Sequence, residues 1–291
     1  TIEIKDGGTS YMRVTDNGSG IEREDVPTAF LRHATSKIKT SDDLDSIATL
    51  GFRGEALASI AAVSRVELFT RTQQELAGTY YVIAGGEELQ YEDVGCAVGT
   101  TIIVRDIFYN TPARMKFLKK DVTEGNAVFT VVEKLALSHP EISFKFLRDG
   151  QEKLFTSGDG DLLNAIHQIY GGAFAKDLVK VDFCENGIGV HGYVSTPVQA
   201  RKSRSMQNFF INHRFIKSGT CMAALEEAFR GSIMVGKFPA CVLHLDISAS
   251  EMDVNVHPAK IEVRFSNERP IFNAVYQAVK FALKNDTFRK E

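Results

Sequence analysis

No stretch of eighteen apolar residues occurs in this 291-residue chain, and no charged-then-apolar leader opens it. Neither a membrane span nor a secretion signal is therefore indicated. Cysteine is scarce. Cys96, Cys184, Cys221 and Cys241 stand far apart and match no C-x-x-C metal or redox spacing, so they read as reduced thiols of a cytoplasmic protein. His33, His139, His167, His191, His244 and His257 show no ligand spacing, and no metal is assigned to them. Positive charge is not in excess either: 34 Lys and Arg against 37 Asp and Glu leave a net −3. Any contact with nucleic acid must then come from a local basic patch. No period of 20–50 residues repeats, which excludes a solenoid.

What is present is a globular composition, 44% hydrophobic and 24% charged, long enough for two ordinary domains. Ile2–Lys5 and Tyr11–Val14 alternate around Asp6-Gly7-Gly8 as a hairpin. Glu22–Leu31 and Gly54–Val63 read as helices, the second able to pack closely through Ala56, Leu57, Ile60, Ala61 and Val63. Strands follow at Val66–Thr70, Thr79–Ile83 and Thr100–Val104. Thr111 suits the N-cap and Pro112 the first position of the next helix. Val122–Ser138 is helical, and Ile142–Phe146 with Lys153–Phe155 forms a hairpin. Thr156-Ser157-Gly158-Asp159-Gly160 is the best linker, placing domains at 1–157 and 158–291. In the second, strands at 178–183, 189–195, 207–211, 242–247 and 261–265 mix with helices at 162–170 and 221–230. A final helix carries Ile271, Phe272, Val275, Val279 and Leu283 on one side. The class is α+β. The chain opens at Thr1 already in strand-like alternation, which reads as a fragment.

Two stretches carry possible chemistry. Asp16-Asn17-Gly18-Ser19-Gly20 ends an alternating segment: Asn-Gly is a turn dipeptide, yet a carboxylate before glycines also suits an amine-bearing planar base. Gly51-Phe52-Arg53-Gly54-Glu55-Ala56-Leu57 opens a helix whose free N–H groups can face an anion, or simply begins a core helix. No G-K-[ST] follows, so it is not a Walker A loop. Between them Ala34-Thr35-Ser36-Lys37 is a polar loop, open to solvent or able to close over phosphates.

These three motifs resemble the nucleotide site of the MutL family of DNA mismatch-repair ATPases, in the superfamily shared with DNA gyrase B, the ninety-kilodalton chaperone and sensor histidine kinases. Gly99-Thr100, Asn110-Thr111-Pro112-Ala113-Arg114 and Asp253-Val254-Asn255-Val256-His257-Pro258-Ala259-Lys260 extend the resemblance over essentially the whole chain. It implies an incomplete GHKL-type (Bergerat) ATP-binding α/β sandwich with a mixed sheet, followed by a ribosomal protein S5 domain 2-like domain. ATP with Mg²⁺ would be the cofactor. Asp16 would bind the adenine amine, with Gly18 and Gly20 against the base and Thr100 acting through water. Thr35, Ser36 and Lys37 would form the lid. Arg53, Gly54, Glu55, Ala56 and Leu57 would bring the phosphate-facing helix start, and Lys260 would reach the γ-phosphate. The family's first motif, with its general base and Mg²⁺ ligand, has no counterpart here, which implies weak or absent hydrolysis by this chain.

The resemblance also implies DNA, MutS and downstream repair proteins as partners, self-dimerisation of the parent on ATP binding, and a cytoplasmic, nucleoid-associated setting. Arg201, Lys202 and Arg204, with Arg214 and Lys217, form one basic cluster for DNA phosphate. Arg114, Lys116, Lys119 and Lys120 form a second. No aromatic-interleaved pattern suggests base readout, so sequence-independent binding is implied. Competing readings are a nucleotide-switched scaffold without catalysis, and another superfamily ATPase such as a topoisomerase or chaperone.

Overall fold

The computed structural model describes residues 1–31, 55–248, 252–253 and 264–290. It divides into two compact units, Thr1–Val132 with Phe144–Phe155, and Glu133–Ser143 with Thr156–Glu291.

The first unit is built on an eight-stranded sheet. Its strands are β1 (Ile2–Lys5), β2 (Tyr11–Asp16), β3 (Arg65–Arg71), β4 (Gly78–Ala84), β5 (Glu87–Val94), β6 (Gly99–Arg105), β7 (Lys145–Arg148) and β8 (Gln151–Phe155). Their order is β5-β4-β3-β6-β2-β1-β7-β8, antiparallel except where β1 runs parallel to β7. Side chains alternate between faces with period two. Met12, Val66, Leu68, Tyr81, Ile83, Ile102 and Val104 make one face apolar. Val26 and Phe30, with Leu57, Ile60 and Ala61 of the Ala56–Ala61 helix, cover it. The opposite face is mixed: Arg105 pairs with Glu67 at 2.6 Å and Arg13 with Glu3 at 2.7 Å, while Phe69 stacks on Tyr80 at 4.6 Å.

Several local expectations change. Glu22–Leu31 is a short 3₁₀ turn at Arg23–Asp25 and a single helical turn at Val26–Ala29. Ala56, expected to pack, is exposed. Thr111 precedes the Pro112–Met115 turn but makes no capping bond, its hydroxyl facing the Phe108 carbonyl at 3.5 Å. β5 has no counterpart among the expected strands because EELQYEDV is largely exposed, as suits a charged sheet edge. Gly85 and Gly86, both at positive φ, supply the tight turn joining it to β4.

The second unit carries β9 (Leu178–Glu185), β10 (Ile188–Ser195), β11 (Gln207–Ile211), β12 (Arg214–Ile216) and β13 (Cys241–Asp246) in the order β12-β11-β13-β10-β9. Val181, Val190, Phe209, Leu243 and Leu245 face helices Gly219–Ala228 and Glu268–Lys290, with Leu225, Ile271, Val275 and Val279 buried against them. Phe210 and Val242 on the other face meet Ile166 and Phe174. The expected linker is an ordered lead-in to the Leu162–Tyr170 helix. Ser157 N–H donates to Gln168 at 2.9 Å, and Asp161 caps the Leu163 amide at 2.8 Å.

Four histidines line up in this unit: His139 on His213 at 5.4 Å, His213 against His244 at 6.4 Å, and His244 on His191 at 5.4 Å. His244 is buried, stacked on Phe210 at 4.7 Å, with Nε2 3.1 Å from the Leu137 carbonyl. Burial first, then its neighbouring histidines, push its pKa down to about 4. The unfolded chain therefore takes up a proton that folded His244 refuses. Its contribution is complete above about pH 6.5 and is lost as pH falls toward about 4, roughly 3 kcal/mol in all. Urea denaturation of wild type and His244→Phe across that range should show their stability difference shrinking by about this amount; a constant gap would remove His244 from the account.

Candidate functional site

β2, β6 and β3 pair so that Asp16 lies opposite Thr100, and Thr100 opposite Thr70. Directly opposed residues share a face. These three therefore continue, at the strand ends, the same face that carries Ile102 and Leu68. The row turns polar where the apolar core stops. Asp16 is exposed, Thr100 is 9% accessible and Thr70 fully buried. The two threonine hydroxyls lie 3.0 Å apart, and Thr70 also donates to the Gly99 carbonyl at 3.0 Å.

The glycines after Asp16 serve close backbone approach. One oxygen of Asp16 accepts the Gly18 N–H at 2.8 Å; its other oxygen has no hydrogen-bond partner among the described residues. Gly20 sits at φ +78°, where a Cβ would collide with the Arg71 carbonyl oxygen. Gly99, at φ +118°, lies so near the Asp16 carbonyl that a Cβ there would strike it. Any side chain at either place forces the backbone apart. From Gly20 the chain runs along the end of β3: Ile21 N–H donates to the Thr70 hydroxyl and Arg23 N–H to Glu75, both at 2.9 Å.

Glu75 fastens this edge. It also accepts the Thr72 amide and hydroxyl, each at 2.9 Å, and these bonds hold its carboxyl below the usual range. Arg71 donates to the Cys96 carbonyl at 2.8 Å and the Glu75 carbonyl at 3.2 Å. Thr70, Arg71 and Glu75 are not among the residues the sequence singles out. The signal available was a strand ending in Thr-Arg-Thr beside a turn, too common to be distinctive.

Of the expected nucleotide residues, Asp16, Gly18, Gly20 and Thr100 gather at one end of the sheet. Glu55, Ala56 and Leu57 begin the Ala56–Ala61 helix, where Glu55 is half-buried and Leu57 packs into the core. Thr35, Ser36, Lys37, Arg53, Gly54 and Lys260 lie outside the described residues. No group of three metal-ligating side chains occurs among the described residues.

The basic cluster is less uniform than its sequence. Arg204 is held by Glu226 through two bonds at 2.6 and 3.0 Å and lies 4.1 Å over the Phe238 ring. Arg201 sits 5.1 Å over Phe174, its backbone bridged to Phe238. Arg214 is half-buried, and desolvation lowers its pKa. Lys202 and Lys217 are exposed.

The chain is similar to several known proteins. Residues 166–284 match the family described as DNA mismatch repair protein, C-terminal domain. The chain is 50% identical over 272 residues to the DNA mismatch repair protein MutL of Agathobacter rectalis, covering 94% of this chain and 42% of that protein. It thus spans less than half the length of that relative. The crystal structure of the N-terminal domain of a DNA repair protein superposes with a TM-score of 0.82 at 24% identity, over all of this chain and 90% of that one. The MutL ATPase domain of Aquifex aeolicus, complexed with ADP, gives a TM-score of 0.64 at 25% identity, covering 94% and 87%. The fold is thus the GHKL-type ATP-binding sandwich followed by the ribosomal protein S5 domain 2-like arrangement. With half its residues shared over nearly its whole length, and with that fold, the chain belongs to the MutL family of DNA mismatch-repair proteins.

Proposed function

We propose that this chain binds ATP at the Asp16 end of the first sheet and DNA through its second unit, serving DNA mismatch repair as part of a MutL protein. One observation carries the nucleotide reading. Asp16 ends β2 with a carboxylate oxygen lacking a described partner, beside Thr100 and two glycine-only backbone approaches. A carboxylate is a pure acceptor and suits an exocyclic amine, while Thr100 can both donate and accept through water. Gly18 and Gly20 keep that edge free of side chains.

The resemblance extends the site to further residues, of which only Glu55, Ala56 and Leu57 are among the described ones. Thr35, Ser36 and Lys37 close over the phosphates; Arg53, Gly54, Glu55, Ala56 and Leu57 present helix amides to them; Lys260 contacts the γ-phosphate. Mg²⁺ arrives with the triphosphate and is assigned to no residue of this sequence. Glu55 belongs to the phosphate helix, so none of the assigned residues is placed to activate water. In the parent protein, nucleotide binding closes two subunits and alters contacts with MutS, downstream repair proteins and DNA in the bacterial cytoplasm. A nucleotide-switched scaffold without catalysis fits this polypeptide equally, and binding measured apart from turnover separates the two.

Two outcomes follow. Asp16→Asn turns an acceptor oxygen into a donor facing the adenine amine, so affinity for a non-hydrolysable ATP analogue should fall about tenfold to a hundredfold by titration calorimetry. Unchanged affinity would move the adenine elsewhere, and ATP hydrolysis abolished by the same substitution would overturn the non-catalytic reading. For DNA, Arg201→Glu with Lys202→Glu should weaken duplex binding and flatten its salt dependence, whereas Arg204→Ala should do less because Glu226 already holds that guanidinium. Equal losses from both changes would contradict this division.

A further inference from the structure

The second basic cluster of the sequence, Arg114, Lys116, Lys119 and Lys120, is interleaved with Met115, Phe117 and Leu118. Phe117 is 85% exposed and Met115 45% exposed, while Leu118 alone is tucked in part way. The backbone that presents them is well tied: Lys116 N–H donates to the Pro112 carbonyl at 3.2 Å, Phe117 to Arg114 at 3.0 Å, and Leu118 to Met115 at 3.2 Å. The ring therefore stands on an ordered coil.

Four cations surround it. Arg114, Lys116, Lys119 and Lys120 are all exposed, and none forms an ion pair among the described residues. The nearest acids in sequence are Asp121, exposed at the helix start, and Glu124, whose carboxylate accepts the Lys119 amide at 2.8 Å. A net −3 chain thus concentrates four positive charges within seven residues around one solvent-facing aromatic ring.

We propose that this segment is a contact site for single-stranded nucleic acid, with Phe117 stacking on a base and the four cations following the phosphates. Every base offers a π-face, so the contact is tolerant of sequence; a duplex keeps its base faces covered and offers only phosphate. Charge complementarity selects a polyanion as occupant, and the flat ring amid the charges selects one with unstacked bases. The proposal rests on the nucleic-acid reading above and adds a base-stacking contact in the first unit.

The chain contains no tryptophan, so Phe117→Trp provides a single fluorescent reporter at the site. Titration with oligothymidylate should quench the emission of that variant while it retains wild-type affinity. Phe117→Ala should weaken binding of the same labelled oligonucleotide about tenfold by anisotropy and leave duplex binding within about twofold. Lys119→Glu with Lys120→Glu should weaken both and reduce the salt slope. Because the ring is exposed, thermal melting should show the folded state intact in each variant. Unquenched fluorescence of the Phe117→Trp variant with oligonucleotide bound, or unchanged affinity in Phe117→Ala, overturns the proposal. If the Arg201, Lys202 double variant abolishes binding while Phe117→Ala does not, this inference falls and the second-unit site stands. If the wild-type chain binds neither strand form, both fall together.

Discussion

Everything at the candidate site depends on the register of three strands. Asp16, Thr100 and Thr70 face one way because β2, β6 and β3 pair as they do; a slip of one residue would turn the acid to the opposite face. Two features hold that register at the end where pairing is weakest. The apolar residues two positions back, Ile102 and Leu68, belong under the helices and resist exposure. The glycine contacts Gly99 to Asp16 and Gly20 to Arg71 let backbones meet at distances no other residue permits. The polar end of the row is thus positioned by the apolar part of the same row.

This explains what was legible. Period-two alternation revealed most strands of the first sheet, and Asp6-Gly7-Gly8 marked the turn between the first two. The acid and glycines of the first motif could be recognised as a pattern. Thr70 could not, because it lies 54 positions from Asp16 and meets it only through Thr100. β5 escaped because a solvated edge strand has no buried face to impose alternation. Phe117 went unmarked for the converse reason: an apolar residue is ordinarily expected to find burial, and this one is 85% exposed.

The second unit applies the same logic with a different filling. One face of its sheet is aliphatic against two helices. The other carries a cross-strand row of Asp182, His191, His244, Phe210 and Phe215. Absence of ligand spacing among the histidines kept them from being taken for metal ligands, yet spacing gave no hint that four would stack. His213 occupies a positive φ of 65° in the Asn212-His213 turn, where glycine is usual. Its stacking on His139 and the 3.2 Å contact of Nδ1 with the Ser138 carbonyl account for a histidine there. A turn residue has been chosen for what its ring touches rather than for backbone ease.

Charge shows most clearly why a residue count does not equal a surface. Arg201, Lys202, Arg204, Arg214 and Lys217 look alike in sequence, five cations within seventeen residues. In the fold, Arg204 is neutralised by Glu226 and covers Phe238, Arg201 lies over Phe174, and Arg214 is partly desolvated. Arginine's flat, weakly hydrated head makes this use natural, while lysine keeps its strongly hydrated charge in water. The exposed positive charge of this cluster therefore resides chiefly on Lys202 and Lys217, with Arg201 at the margin. The arginines contribute mainly by building the surface on which those lysines stand.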